Sequence, residues 1–340
     1  MGLSGSSKGQ RRPWTRWYIL AIAGTFIIVA IGLGVGLGVG LTHRGGHEDL
    51  KRDSGNSTSS GSGSGGYDPN NLPSGPNRTS TWQPSVNATW QIVLQSAIKL
   101  DSNTKIPNPD VSIFDLDLFD NNATIFQTLQ NDGKKVICYF SAGSYENFRP
   151  DKDRFKESDL GKELDGWPGE RWLNLSSANV RSIMSDRIKL AWSKGCDAID
   201  PDNVDGYQND NGLNLTQQDS IDFLKFLHGV ASSYHMGMGL KNAGDIIPDV
   251  LDFINFSVNE QCAQYSECET FEPFIKAGKP VFHIEYPDGA PNINATLAAD
   301  LCSDSGIGAG SAKFSTVLKK MNLDGFVQYC NGKQYNTTLA

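Results

Sequence analysis

Between Trp90 and Gln328 the chain repeats one unit, a short apolar run followed by a longer amphipathic or polar stretch. Eight runs read as strands: Trp90–Leu94, Val111–Leu116, Lys135–Phe140, Asp197–Asp200, Met236–Leu240, Phe253–Val258, Pro280–Ile284 and Gly325–Gln328. Between them, Asn179–Lys194, Gln217–Tyr234 and Ser311–Met321 carry a helical period. Strands alternating with helices make a parallel sheet covered by helices, and eight strands close a barrel. The expected fold is therefore α/β, a single (β/α)8 TIM barrel. Functional groups in such a barrel project from the C-terminal strand ends. Those ends are polar here: Asp115 and Asp117; Tyr139 and Ser141 with a turn through Glu146; Asp200, Asp202, Asn203 and Asp205; Lys241 and Asn242; Asn259 and Glu260; Glu285 and Tyr286; Gln328. One polar strand end is usually a cap or a solvated loop. A ring of them around one mouth is what a polar-substrate site requires.

The fourth end is the densest, with four carboxylates between Asp197 and Tyr207. Buried ionised groups are costly and close like charges raise one another's pKa, so such a cluster points to acid/base or nucleophilic chemistry. A twelve-residue calcium loop from Asp200 fails at Val204, Asp205 and Asn211. No histidine pair has zinc spacing. No G-x-S-x-G elbow follows a strand, and the glycines at 306–310 lack the leading strand of a dinucleotide loop. Neither metal nor cofactor is expected.

Four basic residues, Lys8, Arg11, Arg12 and Arg16, precede an uncharged run from 17 to 41 long enough to span a bilayer. The expectation is a cytoplasmic tail (1–16), a signal-anchor helix (17–41), a Gly/Ser-rich tether (42–81) and an extracellular catalytic domain (82–340), the topology of a single-pass type II membrane protein. Taking those four from 30 Lys+Arg leaves 26 against 38 Asp+Glu, a formal charge of −12 from residue 17 onward. That argues against nucleic acid and for a cationic or neutral ligand. The six cysteines suit disulfides in that compartment. Cys262 with Cys268 is the best pair, Cys302 with Cys330 a looser one, and connectivity stays open. Nine N-x-S/T sequons fit secretion, and Asn255, in an apparent strand, is expected to be buried and unmodified.

Seven blocks in one order carry a resemblance. They are Trp90-Gln91-Ile92; Cys138 to Glu146; Trp167-Pro168-Gly169-Glu170-Arg171-Trp172-Leu173; Asp202-Asn203-Val204-Asp205-Gly206-Tyr207; Gly239-Leu240-Lys241-Asn242; Asn259-Glu260-Gln261-Cys262; and His283-Ile284-Glu285-Tyr286. Together they resemble glycoside hydrolase family 114, the endo-α-1,4-polygalactosaminidases, in its fungal form. The resemblance implies a (β/α)8 barrel, a cationic galactosamine-containing polysaccharide as partner, and catalytic carboxylates on Asp202 and Glu260. Asp200-Pro201 departs from the pattern of many relatives, so Asp200 and Asp202 both stand as nucleophile.

The mechanism expected on this basis is retaining: Asp202 attacks the anomeric carbon while Glu260, with a raised pKa, protonates the leaving oxygen. Asp115, Asp117, Glu146, Asp205 and Glu285 are expected to pair with ammonium groups of the sugar. Tyr139, Tyr207, Tyr286 and Trp172 either stack on sugar faces or pack the barrel. Lys241 either orients Asp202 or caps an acidic floor; Ser141, Asn203, Asn242, Asn259 and Gln328 complete the expected lining. Two other readings are a non-catalytic carbohydrate-binding barrel and an exo-acting α-galactosidase-like enzyme.

Overall fold

The computed structural model describes residues 68–100, 108 and 110–340. The expected cytoplasmic tail, the expected span 17–41 and most of the expected tether lie outside them. Among the described residues no helix is long and apolar enough to cross a membrane.

In chain order the strands are β1 (Trp90–Val93), β2 (Ile113–Asp117), β3 (Lys135–Ser141), β4 (Ser144–Glu146), β5 (Leu160–Leu164), β6 (Trp167–Leu173), β7 (Ala198–Asp202), β8 (Gly237–Lys241), β9 (Phe256–Glu260), β10 (Val281–Glu285), β11 (Ser315–Leu318), β12 (Phe326–Tyr329) and β13 (Gln334–Asn336). The helices are α1 (Ala123–Asn131), α2 (Ala178–Lys194), α3 (Gln217–Ser233), α4 (Ile247–Val250), α5 (Glu272–Lys276) and α6 (Ala295–Leu301). One ten-stranded sheet runs β1-β2-β3-β7-β8-β9-β10-β11-β12-β13. Each pairing from β1 to β11 is parallel, and the last two are antiparallel. The sheet is curled, and the Trp90 indole donates to the Ser315 carbonyl at 2.6 Å, tying β1 to β11.

Strand alternation sorts the core into two clusters. Trp90, Ile92, Ile113, Ile137, Phe256, Val258, Phe282, Ile284 and Val317 fill the concave interior. Their sequence neighbours, such as Val93, Phe114, Cys138, Ile199, Leu240 and Leu318, pack beneath the helices. A turn residue ends α2 on schedule: Gly195 adopts φ 95°, the left-handed cap that leaves the chain free to enter β7.

Three expectations need correction. Ser311–Met321 holds β11 rather than a helix, and the expected closing strand is β12, antiparallel to it. The misreading has a cause: Phe314, Val317, Leu318 and Met321 mimic a helical spacing, yet Val317 faces the interior and Leu318 the helix layer. The expected turn through Glu146 is β4 of an antiparallel sheet ordered β4-β6-β5. Finally, residues 68–81 are not tether. They lie against α2, where Pro69 and Pro76 carbonyls accept from Lys189 and Trp192, and Arg78 donates to Gly195.

Both expected disulfides form, and a third joins Cys138 in β3 to Cys196 just before β7. Closing a separation of 58 residues, that bond stabilises by about 4 kcal/mol in the chain-entropy account. Asn255 immediately precedes β9, and its amide is occupied at both ends, accepting from Met238 N–H at 2.9 Å and donating to Gln83 at 3.0 Å.

Candidate active site

Three consecutive strand ends supply the centre. Asp202, Lys241 and Glu260 are the last residues of β7, β8 and β9. The Lys241 ammonium lies 3.1 Å from Asp202 Oδ1 and 3.1 Å from Glu260 Oε2. Asp202 Oδ2 accepts from the Tyr139 hydroxyl at 2.7 Å. Glu260 accepts from the Tyr286 hydroxyl and from Asn242 Nδ2, and its own backbone N–H donates to Asn242 Oδ1 at 2.9 Å. Every carboxylate oxygen of the pair thus has a donor, and one buried ammonium serves both.

Local backbone geometry places these groups. Asn203, Asn242 and Gln261, each directly after a central residue, have φ of 61°, 48° and 62°. That left-handed conformation is uncommon outside glycine, with Asn enriched among the exceptions, and it turns the chain off the strand once the functional side chain is set. Gly143 makes a close approach possible, since a Cβ there would stand 1.8 Å from the Asn203 carbonyl. Its N–H and that of Ala142 both donate to the Asp202 carbonyl, at 3.0 and 2.9 Å.

The electrostatics correct one expectation. Burial alone would raise the Glu260 carboxyl, but Lys241, with hydrogen bonds from Tyr286 and Asn242, outweighs it and holds Glu260 below its ordinary value. Glu260 is therefore charged, not poised as an acid. Burial would likewise lower Lys241, yet Asp202, Glu260 and Asp200 keep it protonated well above the usual range. Because kcat/KM follows the free enzyme's groups, Lys241→Met is expected to move the alkaline limb of its pH profile to higher pH as Glu260 loses the ammonium that holds its proton off. A limb that stays put or moves down would refute the assignment.

The cleft above these groups has a volume of about 430 Å³. Of the expected residues, Asp117, Tyr139, Glu146, Asp202, Asn203, Asp205, Lys241, Asn242, Glu260 and Tyr286 line it. Asp115 and Asp200 do not: both are fully buried one layer deeper, two residues before the ends of β2 and β7. Among the described residues none of their four carboxyl oxygens finds an N–H or O–H donor. Burial, followed by the Asp200 charge, raises Asp115 well above the carboxylate range, and burial with the nearby acids lifts Asp200 to about 7. The pair retains a proton, and its position leaves Asp202 as the strand-four acid that a ligand reaches.

Glu285 and Asn259 sit one residue out of phase with the interior and face the helix layer. There Glu285 accepts from Ala263 N–H at 2.7 Å and bonds His283 at 2.8 Å. Trp172 is buried under the β4–β6 sheet, where its ring packs against Gly206. Ser141 receives Asn203 Nδ2 at 2.8 Å. Tyr207 lies beyond the rim beside Gln208, and Gln328 on β12 accepts from Gln334. Sulfurs of Cys262 and Cys268 approach His283, but as a disulfide they offer no thiolate to a metal.

Among the lining residues that the sequence does not single out are Arg149, Trp167, Phe148 and Glu170. Arg149 carried a signal, being three residues from Glu146. It bonds Glu146 through two nitrogens, at 2.7 and 2.8 Å, and also reaches Asp117 at 2.8 Å. Buried acids demand such a partner. Phe148 and Trp167 are 64% and 58% exposed at the rim.

The model of glycoside hydrolase family GH114 matches residues 72–335. Ega3 from Aspergillus fumigatus, solved in complex with galactosamine, is similar at 55% identity over 75% of this chain and 100% of its own, with a TM-score of 0.68. The glycoside hydrolase domain of PelA from Pseudomonas aeruginosa shares the fold at 12% identity and a TM-score of 0.52, covering 74% of this chain and 99% of that one. No curated protein matches.

Proposed function

The chain belongs to glycoside hydrolase family GH114, and from that premise we propose that it cleaves α-1,4-linked galactosamine polymers internally, using Asp202 and Glu260. The observation that carries this is the single Lys241 ammonium between two carboxylates at the mouth of a cleft. Contact with one nitrogen brings the two nearer oxygens within about 6 Å of each other, close enough for both acids to serve one glycosidic bond. The reading taken is retaining. Asp202 bonds to C1 as the glycosidic C1–O bond breaks and Glu260 gives its proton to the leaving oxygen. Glu260 then takes a proton from water, which attacks C1 and frees Asp202. Since Lys241 holds Glu260 charged, the active form is the one that has taken up a proton, and turnover favours acid pH.

Substrate class rests on charge and on the similar protein. Ega3 at 55% identity binds galactosamine, and the cleft here carries Asp117, Glu146, Glu170, Asp202, Asp205 and Glu260. Burial and the neighbouring Asp202 raise Asp205 to about 6, and an ammonium beside it would restore its charge. The same reading treats the curled sheet as a (β/α)8 barrel and residues 17–41 as a membrane anchor with the catalytic domain outside.

Digestion of α-1,4-galactosamine polymer, followed by chromatography of the products, is the test. A ladder of oligosaccharides is expected. Monomer from the first time point identifies an exo-acting α-galactosidase-like enzyme instead, and binding without cleavage identifies a carbohydrate-binding barrel.

A further inference from the structure

The cleft carboxyls fall into two groups. Asp117 and Glu146 share the Arg149 guanidinium, and Asp202 and Glu260 share the Lys241 ammonium. Glu170 forms no ion pair with any described residue; its one hydrogen bond is from the Ser144 hydroxyl, at 3.2 Å.

Its placement makes that lack costly. Glu170 lies on β6 directly across from Glu146 on β4, and like charges facing each other across strands destabilise a sheet. Arg149 pairs with Asp117 and Glu146 and acts on Glu170 only from a distance, without an ion pair. The carboxyl is half-buried and lines the cleft. On the same strand Trp167 presents an exposed aromatic surface to the same cleft. An aromatic face beside an unpaired carboxylate matches the chemistry of an aminosugar, whose apolar ring face stacks and whose ammonium pairs.

We propose that Glu170 is a specificity residue, its carboxylate receiving the 2-ammonium group of a galactosamine unit bound next to the bond being cleaved. This rests on the function proposed above and assigns the amine contact to an acid on the β4–β6 sheet, outside the catalytic pair. Through Ser144, which also accepts from Asn203 Nδ2 at 3.0 Å, the contact joins the residue that follows Asp202.

The groups facing Glu170 are Glu146 and Ser144 on β4, Asp202 on β7, and Arg149. Burial first, then the Glu146 charge, lifts the Glu170 carboxyl to about 7. Below that pH it is neutral and the ammonium loses its partner, so affinity for the amine rises with pH as Glu170 ionises and falls again once the sugar amine gives up its own proton.

Glu170→Gln tests this on fully deacetylated polymer and on the same polymer partly N-acetylated. For the deacetylated substrate KM is expected to rise at least ~10-fold, the size of one charge-assisted hydrogen bond, with the loss in KM rather than kcat. The acetylated polymer should lose less, and the rise of wild-type KM below pH 7 should flatten in the variant. The melting temperature should go up, because a like-charge cross-strand pair is removed. A purely structural Glu170 would instead lower it. Equal losses on both polymers, or a loss confined to kcat, overturn the assignment while leaving the proposed function intact. A wild type inert on both polymers overturns the two together.

Discussion

Asp202→Asn and Glu260→Gln are each expected to lower kcat by roughly 10³-fold or more, the scale on which nucleophiles and general acids contribute. Both replacements are nearly isosteric and leave the Lys241 ammonium one carboxylate partner, so melting temperatures should stay close to wild type. The two losses should differ in kind. In Asp202→Ala, azide added to the assay can enter the vacated face and attack C1 once, converting an α-linked substrate to a β-glycosyl azide. In Glu260→Ala, Asp202 still forms the covalent intermediate, and azide attacking from the other side yields the α product. Product stereochemistry by NMR therefore assigns each role independently of rate. Either variant keeping a tenth of wild-type turnover would remove that residue from the chemistry. An α product from Asp202→Ala would reverse the proposed roles.

The largest effect on stability is expected at Arg187, far from any contact with substrate. Its guanidinium is fully buried in α2, pairs with Asp151 through two nitrogens at 2.8 Å, and donates to the Ser141 carbonyl at 2.7 Å. Phe119 and Phe155 lie against its planar faces at 5.1 and 5.7 Å. Arg187→Ala leaves Asp151 charged, buried and alone, which costs about 3–5 kcal/mol and lowers the melting temperature by on the order of 10 °C. The double change Arg187→Met with Asp151→Leu should recover part of that loss, because it removes both charges rather than stranding one. Thermal melts of Arg187→Ala, Asp151→Leu and the double variant decide it. A double variant worse than either single one would show that the pair matters for its hydrogen bond to Ser141, at the end of β3, more than for charge. Ser141 directly precedes the Ala142 and Gly143 N–H groups that hold Asp202, so Arg187→Ala should also depress turnover in the fraction that stays folded.

Much of the site was legible because strands alternate. Asp202, Lys241 and Glu260 end apolar runs whose inward positions can be counted two by two, and all three converge at the mouth. Taking every polar residue at a strand end as lining puts Glu285 and Asn259 inside, whereas they face the helices. Their neighbours Tyr286 and Glu260 hold the inward positions. Depth was invisible as well. Asp115 and Asp200 point inward, but two residues of strand rise put them in a sealed layer where two acids must share a proton. Ser311–Met321 failed for another reason: of its four apolar residues at helical spacing only Val317 and Leu318 lie in the strand, one on each buried face, while Phe314 precedes it and Met321 is exposed.

Local chemistry, read along the chain, determined the eight expected strands and their polar ends, because each depends on spacings of a few residues, while the two central acids came from the resemblance to a family and the cysteine pairing stayed open. Tertiary structure alone decided which cation neutralises which acid. Lys241 sits 39 residues from Asp202 and 19 from Glu260 in the chain yet touches both. Arg149 takes up Asp117 and Glu146 and acts on Glu170 only from a distance. Charge acts through space and in proportion to burial, so whether Glu260 begins as acid or as base was settled only when the folded sheet brought an ammonium to its side.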